Sequence, residues 1–259
     1  MLSKRLIVCL DVRSGKLAKS VRFVDTKDIG DPVEKARQYY QDGIDELVLY
    51  DITASRENRD IIIELVEKVA SQIFIPFSVG GGIRSVEDAT KLRMAGAEKV
   101  NVNTAAVQRK ELITEIAHAI GSQSTILSMD IRRVDKTRDI PSGYEIVIND
   151  GTTPTGIDAL AWAKLGVELG AGELVVNSID ADGTKEGYEL KLTRLIADSV
   201  GVPVIASGGA GKPEHLYEAF TEGHADGALV ASITHYGEYT CRQLKEYLHK
   251  QGIKVRMNY

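Results

Sequence analysis

Val202-Pro-Val-Ile-Ala-Ser-Gly-Gly-Ala-Gly211 decides the fold: a β-branched apolar run ends in clustered glycines just before a helical pattern begins. Ile75-Pro-Phe-Ser-Val-Gly-Gly-Gly82 repeats that arrangement 127 residues earlier. Working outward, the same offset pairs Gly43-Ile-Asp-Glu-Leu-Val48 with Gly170-Ala-Gly-Glu-Leu-Val175, and Gly96 with Gly223. Leu10-Asp11-Val12-Arg13 matches Met129-Asp130-Ile131-Arg132 at an offset of 119, because the loop after the fifth strand is eight residues longer. A constant offset across several elements marks an internal duplication.

Short β-rich runs recur at Arg5–Leu10, Glu46–Tyr50, Ile75–Val79, Lys99–Asn103, Thr125–Asp130, Glu173–Asn177, Val202–Ser207 and Gly227–Ser232. Helix signals lie between them, such as Asp31-Pro32 as N-cap and first turn and Ser85 with Asp88 as a capping box. Strict β/α alternation means a parallel sheet, and eight units in 259 residues predict an α/β fold, a (β/α)8 TIM barrel. A single domain over 1–259 is expected, made of two similar half-barrels at roughly 1–122 and 123–259. A net charge of −5 without a local Lys/Arg cluster argues against nucleic acid as partner. The apolar run Leu6–Leu10 is too short for a signal peptide or membrane span, so a cytoplasmic protein is expected. Cys9 and Cys241 give neither a disulfide framework nor metal-ligand spacing.

In such a barrel the active site lies at the carboxyl ends of the strands. Asp11 and Asp130 both stand there, each behind an apolar run that should raise at least one carboxyl pKa, so that one acts as acid and the other as base. Gly80-Gly81-Gly82 and Gly208-Gly209-Ala210-Gly211 place unobstructed backbone N–H groups before helix starts, an arrangement that cradles phosphate. Asn103-Thr104 and Ala231-Ser232 complete the two cradles, which implies a substrate phosphorylated at both ends. Lys19 sits in a first loop able to close over an anion, although spacing alone reads as a solvated lysine. Asp51 and Asp182 are ambiguous by themselves. At the opposite end, strand alternation sets Arg5, Glu46, Lys99 and Glu173 on the inward faces, a ring that reads first as an ion-paired plug and second as a gate for a small polar molecule.

The chain resembles the cyclase subunit of imidazole glycerol phosphate synthase from histidine biosynthesis over essentially its full length. The resemblance rests on Lys4 through Val12, Gly43–Val48, Asp51–Ser55, Val79–Ile83, Asn103–Ala106, Gly121–Gln123, Ser178–Thr184, Ala206–Gly211 and Leu244–Leu248, nine motifs in order. It implies that ammonia attacks a phosphoribulosyl formimino aminoimidazole carboxamide ribotide, giving imidazole glycerol phosphate and an aminoimidazole carboxamide ribotide. It implies catalysis by Asp11 and Asp130 and substrate binding by Lys19, Gly82, Asn103, Thr104, Asp182, Gly183, Gly209 and Ser232. Asn177, where some members carry Thr, joins that set. Arg5, Glu46, Lys99 and Glu173 become an ammonia gate, and the partner a glutamine amidotransferase subunit docked at that floor to form a heterodimer. No cofactor and no metal are expected. Three other functions fit parts of the pattern: the sister isomerase of the same pathway, whose first-strand motif differs from Cys9-Leu-Asp-Val12, a paralogue delivering ammonia for surface-sugar amidation, and a non-catalytic barrel that activates an amidotransferase. The retained Asp11 and both cradles argue against the last two. Residues 132–150 read as a longer, divergent loop without an assigned role.

Overall fold

The computed structural model describes residues 2–13, 15–21, 24–52 and 63–257, with the backbone alone for 19–21 and 24–29. Among these, the chain runs through β1 (Arg5–Arg13), β2 (Lys16–Val21), β3 (Val24–Gly30), α1 (Pro32–Gln41), β4 (Glu46–Asp51), α2 (Ile63–Ala70), β5 (Phe77–Gly80), α3 (Val86–Met94), β6 (Lys99–Val102), α4 (Thr104–Gln108) and α5 (Glu111–Ile120). The second half comprises β7 (Thr125–Arg133), β8 (Tyr144–Ile148), β9 (Thr153–Asp158), α6 (Ala159–Glu168), β10 (Glu173–Ser178), α7 (Leu190–Ala197), β11 (Val204–Ser207), α8 (Pro213–Thr221), β12 (Gly227–Val230), α9 (Ser232–His235) and α10 (Cys241–Lys250). Eight strands, β1-β4-β5-β6-β7-β10-β11-β12, pair in parallel and return to β1, closing a (β/α)8 barrel.

The helices start where the sequence places their caps. The Asp31 side chain accepts from the Glu34 N–H, and Ser85 with Asp88 forms a reciprocal capping box. Alternate strand residues point two ways. Ile7, Cys9, Val48, Ile126, Val175, Ile205 and Leu229 fill the barrel interior, while Leu6, Val8, Leu10, Leu47 and their counterparts pack under the helices. Truncating a fully buried Leu such as Leu6 or Leu10 to Ala costs about 2–5 kcal/mol.

The strand registers repeat between the halves. Leu47 pairs with Phe77 as Leu174 pairs with Val204, and Asp11 with Tyr50 as Asp130 with Asn177. Pro76 and Pro203 lack an N–H, so β5 and β11 begin one residue after them rather than at Ile75 and Val202. Their carbonyls still accept from Leu47 and Leu174, at 3.0 Å each. One register departs from the 127 offset: Ser78 faces Lys99, whereas Ile205 faces Gly227. The extra residue lies in the turn before β12, where His224 takes a left-handed φ of 56°. Lys99 therefore has Gly227 as its counterpart.

The segment 132–150 is not an irregular loop. β7 extends to Arg133 and pairs antiparallel with β8, which turns into β9. The alternating Tyr144-Glu-Ile-Val-Ile148 supplies the strand, and Arg132 fastens it through Glu145 at 2.7 Å. A second hairpin, β2–β3, follows β1. Both rise from the carboxyl end of the barrel. At the other end, fully buried Lys245 donates to the Gly43 carbonyl (2.5 Å) and Asp45 (2.6 Å), and Asp45 accepts from the Leu6 N–H (2.9 Å). That network ties the last helix to the first strand.

Candidate active site

The strand ends converge on one cavity of about 1580 Å³, its open mouth included. Asp11, Gly82, Asn103, Thr104, Asp130, Asn177, Asp182, Gly183, Gly209 and Ser232 all line it. The Lys19 side chain falls outside the described residues, and its backbone belongs to β2. Arg5, Glu46, Lys99 and Glu173 stand at the opposite end, about 20 Å away along β1 at roughly 3.3 Å per residue.

Asp11 on β1 and Asp130 on β7 lie four strands apart in a ring of eight, hence across the cavity from each other. Their settings differ although their positions correspond. Asp130 accepts from Asn103 Nδ2 and from Asn177 Nδ2, both at 2.8 Å. Ser207 Oγ donates to Asn177 Oδ1 at 2.9 Å, which fixes the end of the amide that faces the carboxylate. Around Asp11 the corresponding residues are Ala231, which has no donor, and Tyr50, whose hydroxyl lies 3.2 Å from Asn101 Oδ1 and 3.0 Å from Ser128 Oγ. Asp11 instead meets the Cys9 thiol, 3.1 Å from its Oδ1. Burial raises the Asp130 carboxyl to about 6, against the donors of Asn177 and Asn103 and with the charges of Asp150 and Asp11 adding to the rise.

The glycines do what their type allows. Gly81 and Gly82 have φ of 91° and 74°, and Gly208 and Gly209 of 86° and 106°. A Cβ on Gly81 would collide with the Asp51 carbonyl oxygen, and one on Gly209 with that of Gly187. Each pair thus forms a tight turn leading toward the start of α3 or α8. Thr104 and Ser232 open α4 and α9 beside these turns. Asn103, expected to complete a phosphate cradle, lines the cavity beside Gly82 and Thr104. Its amide nitrogen is held by Asp130 on the adjacent strand, and its Oδ1 is buried without a partner.

The floor residues form a closed ring. Arg5 Nη1 lies 2.7 Å from Glu46 and Nη2 2.5 Å from Glu173, while Lys99 Nζ lies 3.3 Å from Glu46 and 2.9 Å from Glu173. Sign alternates around the axis, and each carboxylate bridges both cations. Glu46 and Glu173 are counterparts by the repeat, but the cations are not. Gly227, the counterpart of Lys99, brings no charge to the ring, and a Cβ there would press on Ile205 and Ile7 of the barrel interior, each at 3.1 Å. Burial works against the Arg5 charge, yet Glu173 and Glu46 more than offset it and raise its pKa.

Sequence reasoning missed Cys9, Tyr50, Ser207 and Asp150 as lining residues. The inward parity of β1 and β4 would have found the first two. Asp150 follows the unread strand β8, and the signal was the β-branched run leading into Asn149-Asp150-Gly151.

The molecule is thus a (β/α)8 barrel with two opposed carboxylates at one mouth and a ring of ion pairs across the other. The family model described as histidine biosynthesis protein matches residues 5–240. The chain is 61% identical over its full length to imidazole glycerol phosphate synthase subunit HisF of Desulfovibrio desulfuricans, all of which is covered. It is 60% identical over 99% of its length to the HisF of Desulfatibacillum aliphaticivorans, with 98% of that protein covered, and 59% identical to that of Oleidesulfovibrio alaskensis over the whole of both chains. The chain belongs to the HisF family, the cyclase subunits of imidazole glycerol phosphate synthase in histidine biosynthesis.

Proposed function

We propose that the chain converts phosphoribulosyl formimino aminoimidazole carboxamide ribotide and ammonia into imidazole glycerol phosphate and aminoimidazole carboxamide ribotide, with Asp11 and Asp130 exchanging the protons. The observation that carries this reading is the unequal setting of two opposed carboxylates. Ring closure needs a group that removes a proton from the incoming nitrogen and a second that returns one to the departing fragment. Asp130, whose carboxyl is raised to about 6, is the group suited to hold a proton for delivery. Asp11, across the cavity and without amide donors from the equivalent positions, receives the proton from nitrogen. Gly82 with Thr104, and Asp182, Gly183 and Gly209 with Ser232, hold the two phosphates, and Lys19 closes on the substrate from the first loop. Asn103 and Asn177 act through Asp130 rather than on phosphate.

Ammonia comes from a glutamine amidotransferase subunit docked at the floor, and Arg5, Glu46, Lys99 and Glu173 gate its entry. In support, three of the four exposed large hydrophobics among the described residues, Leu2, Phe74 and Met94, lie at that end, before β1, β5 and β6, and the fourth, Tyr236, follows α9 at the other. The repeated registers support half-barrels at about 1–122 and 123–259. No helix among the described residues is long and apolar enough to cross a membrane. As part of the same proposal, the enzyme works in the cytoplasm. The test is to incubate the purified chain with the substrate and ammonium salt alone. Both products should form; no conversion of the bisphosphate would remove the reading.

A further inference from the structure

We propose that Asp150 binds the sugar hydroxyls of whichever substrate moiety has its phosphate in the Gly82–Thr104 turn. This rests on the cyclase reading above and adds a specificity residue to it. Asp150 sits at the tip of the β8–β9 hairpin, in a run of left-handed residues with φ of 53°, 56° and 74° at Asn149, Asp150 and Gly151. Thr152 closes the turn onto the Asn149 carbonyl, with Oγ1 at 2.6 Å and N at 3.2 Å. The Asn149 N–H donates to Thr104 Oγ1 at 3.1 Å, which fastens the tip to the first residue of α4. Asp150 thereby lines the cavity together with Thr104 and Asp130.

A phosphosugar reaching from that turn to the reacting atoms places hydroxylated carbons in between, whichever end of the substrate it is. Hydroxyl hydrogens need acceptors, and a carboxylate offers two oxygens that match a diol, as the acidic residue of a dinucleotide fold meets its ribose. A carboxylate beside a phosphate site without such donors only repels the dianion. The alternative role is conformational, since Asp tolerates the left-handed region. Asn tolerates it as well, so Asp150→Asn keeps the turn and removes the charge.

The experiment measures binding of the two products to the parent and to Asp150→Asn, each beside a counterpart lacking its hydroxyls: imidazolylpropyl phosphate and the 2′,3′-dideoxy ribotide. For one product the variant should bind about tenfold more weakly or worse, the scale for losing a hydrogen bond to a charged group. Its deoxy counterpart should bind no worse than to the parent. Equal changes for hydroxylated and deoxy ligands, or no change for either product, overturn the assignment. A parent that binds neither product overturns the cyclase reading with it, which separates the two failures.

Discussion

Replacing Asp130 with Asn should change how stability depends on pH, by an amount that its setting fixes. An Asp side chain in an unfolded chain titrates near 3.9, whereas burial raises Asp130 to about 6 in the folded protein. The folded state therefore holds this proton more tightly than the unfolded one. Its contribution to stability is fully present below about pH 4, declines as pH rises through 6, and is gone above that. Two pKa units correspond to about 3 kcal/mol. The Asn variant lacks the titration, and its new amide meets Asn103 and Asn177 with a cost that does not vary with pH. The unfolding free energy of the variant minus that of the parent should thus climb by about 3 kcal/mol between about pH 4 and pH 8. Urea unfolding at unit pH steps, extrapolated linearly, reads this difference. A difference curve that is flat, or that falls with pH, would refute the claim that the site loads proton affinity onto Asp130.

Three other outcomes follow from the same geometry. Asn177→Leu removes one of two donors to Asp130, the proton-delivering group, so the alkaline limb of turnover, measured at constant free ammonia, should move up by about one pH unit, with Ser207→Ala moving it less in the same direction; an unmoved limb would return Asn177 to substrate binding. Lys99→Leu leaves Glu46 and Glu173 less compensated but touches neither aspartate, so turnover with added ammonia should change little while glutamine consumed per product rises with the amidotransferase partner; unchanged coupling would make the ring a structural plug. Crystals soaked in phosphate should show two anions, one by Gly82 and Thr104 and one by Gly183, Gly209 and Ser232, and a single occupied place would remove the two-cradle reading.

The barrel and the positions of Asp11, Asp130, the glycine turns and the floor ring were legible because each depends on local pattern. A β-branched run ending in Asp or Gly before a helix says where a strand stops, and strand parity says which side chains face inward. What stayed hidden depends on contacts between strands. Nothing local to Asn103 shows that its amide is captured by Asp130 one strand away, or that Ser207 orients Asn177. The one-residue insertion near His224 moved Lys99's counterpart onto Gly227, which no constant offset reveals. Strict β/α alternation leaves no place for the antiparallel hairpin β8–β9, so by pattern Tyr144–Ile148 reads as loop together with Asp150.

The most direct measurement of the central claim is turnover of the bisphosphate substrate with ammonium salt and no second protein, compared among the parent, Asp11→Asn and Asp130→Asn. Opposed carboxylates that exchange the protons of ring closure predict product from the parent and a loss of roughly 10²-fold or more in each variant, with folding retained. Near-parental turnover in both variants would contradict the account.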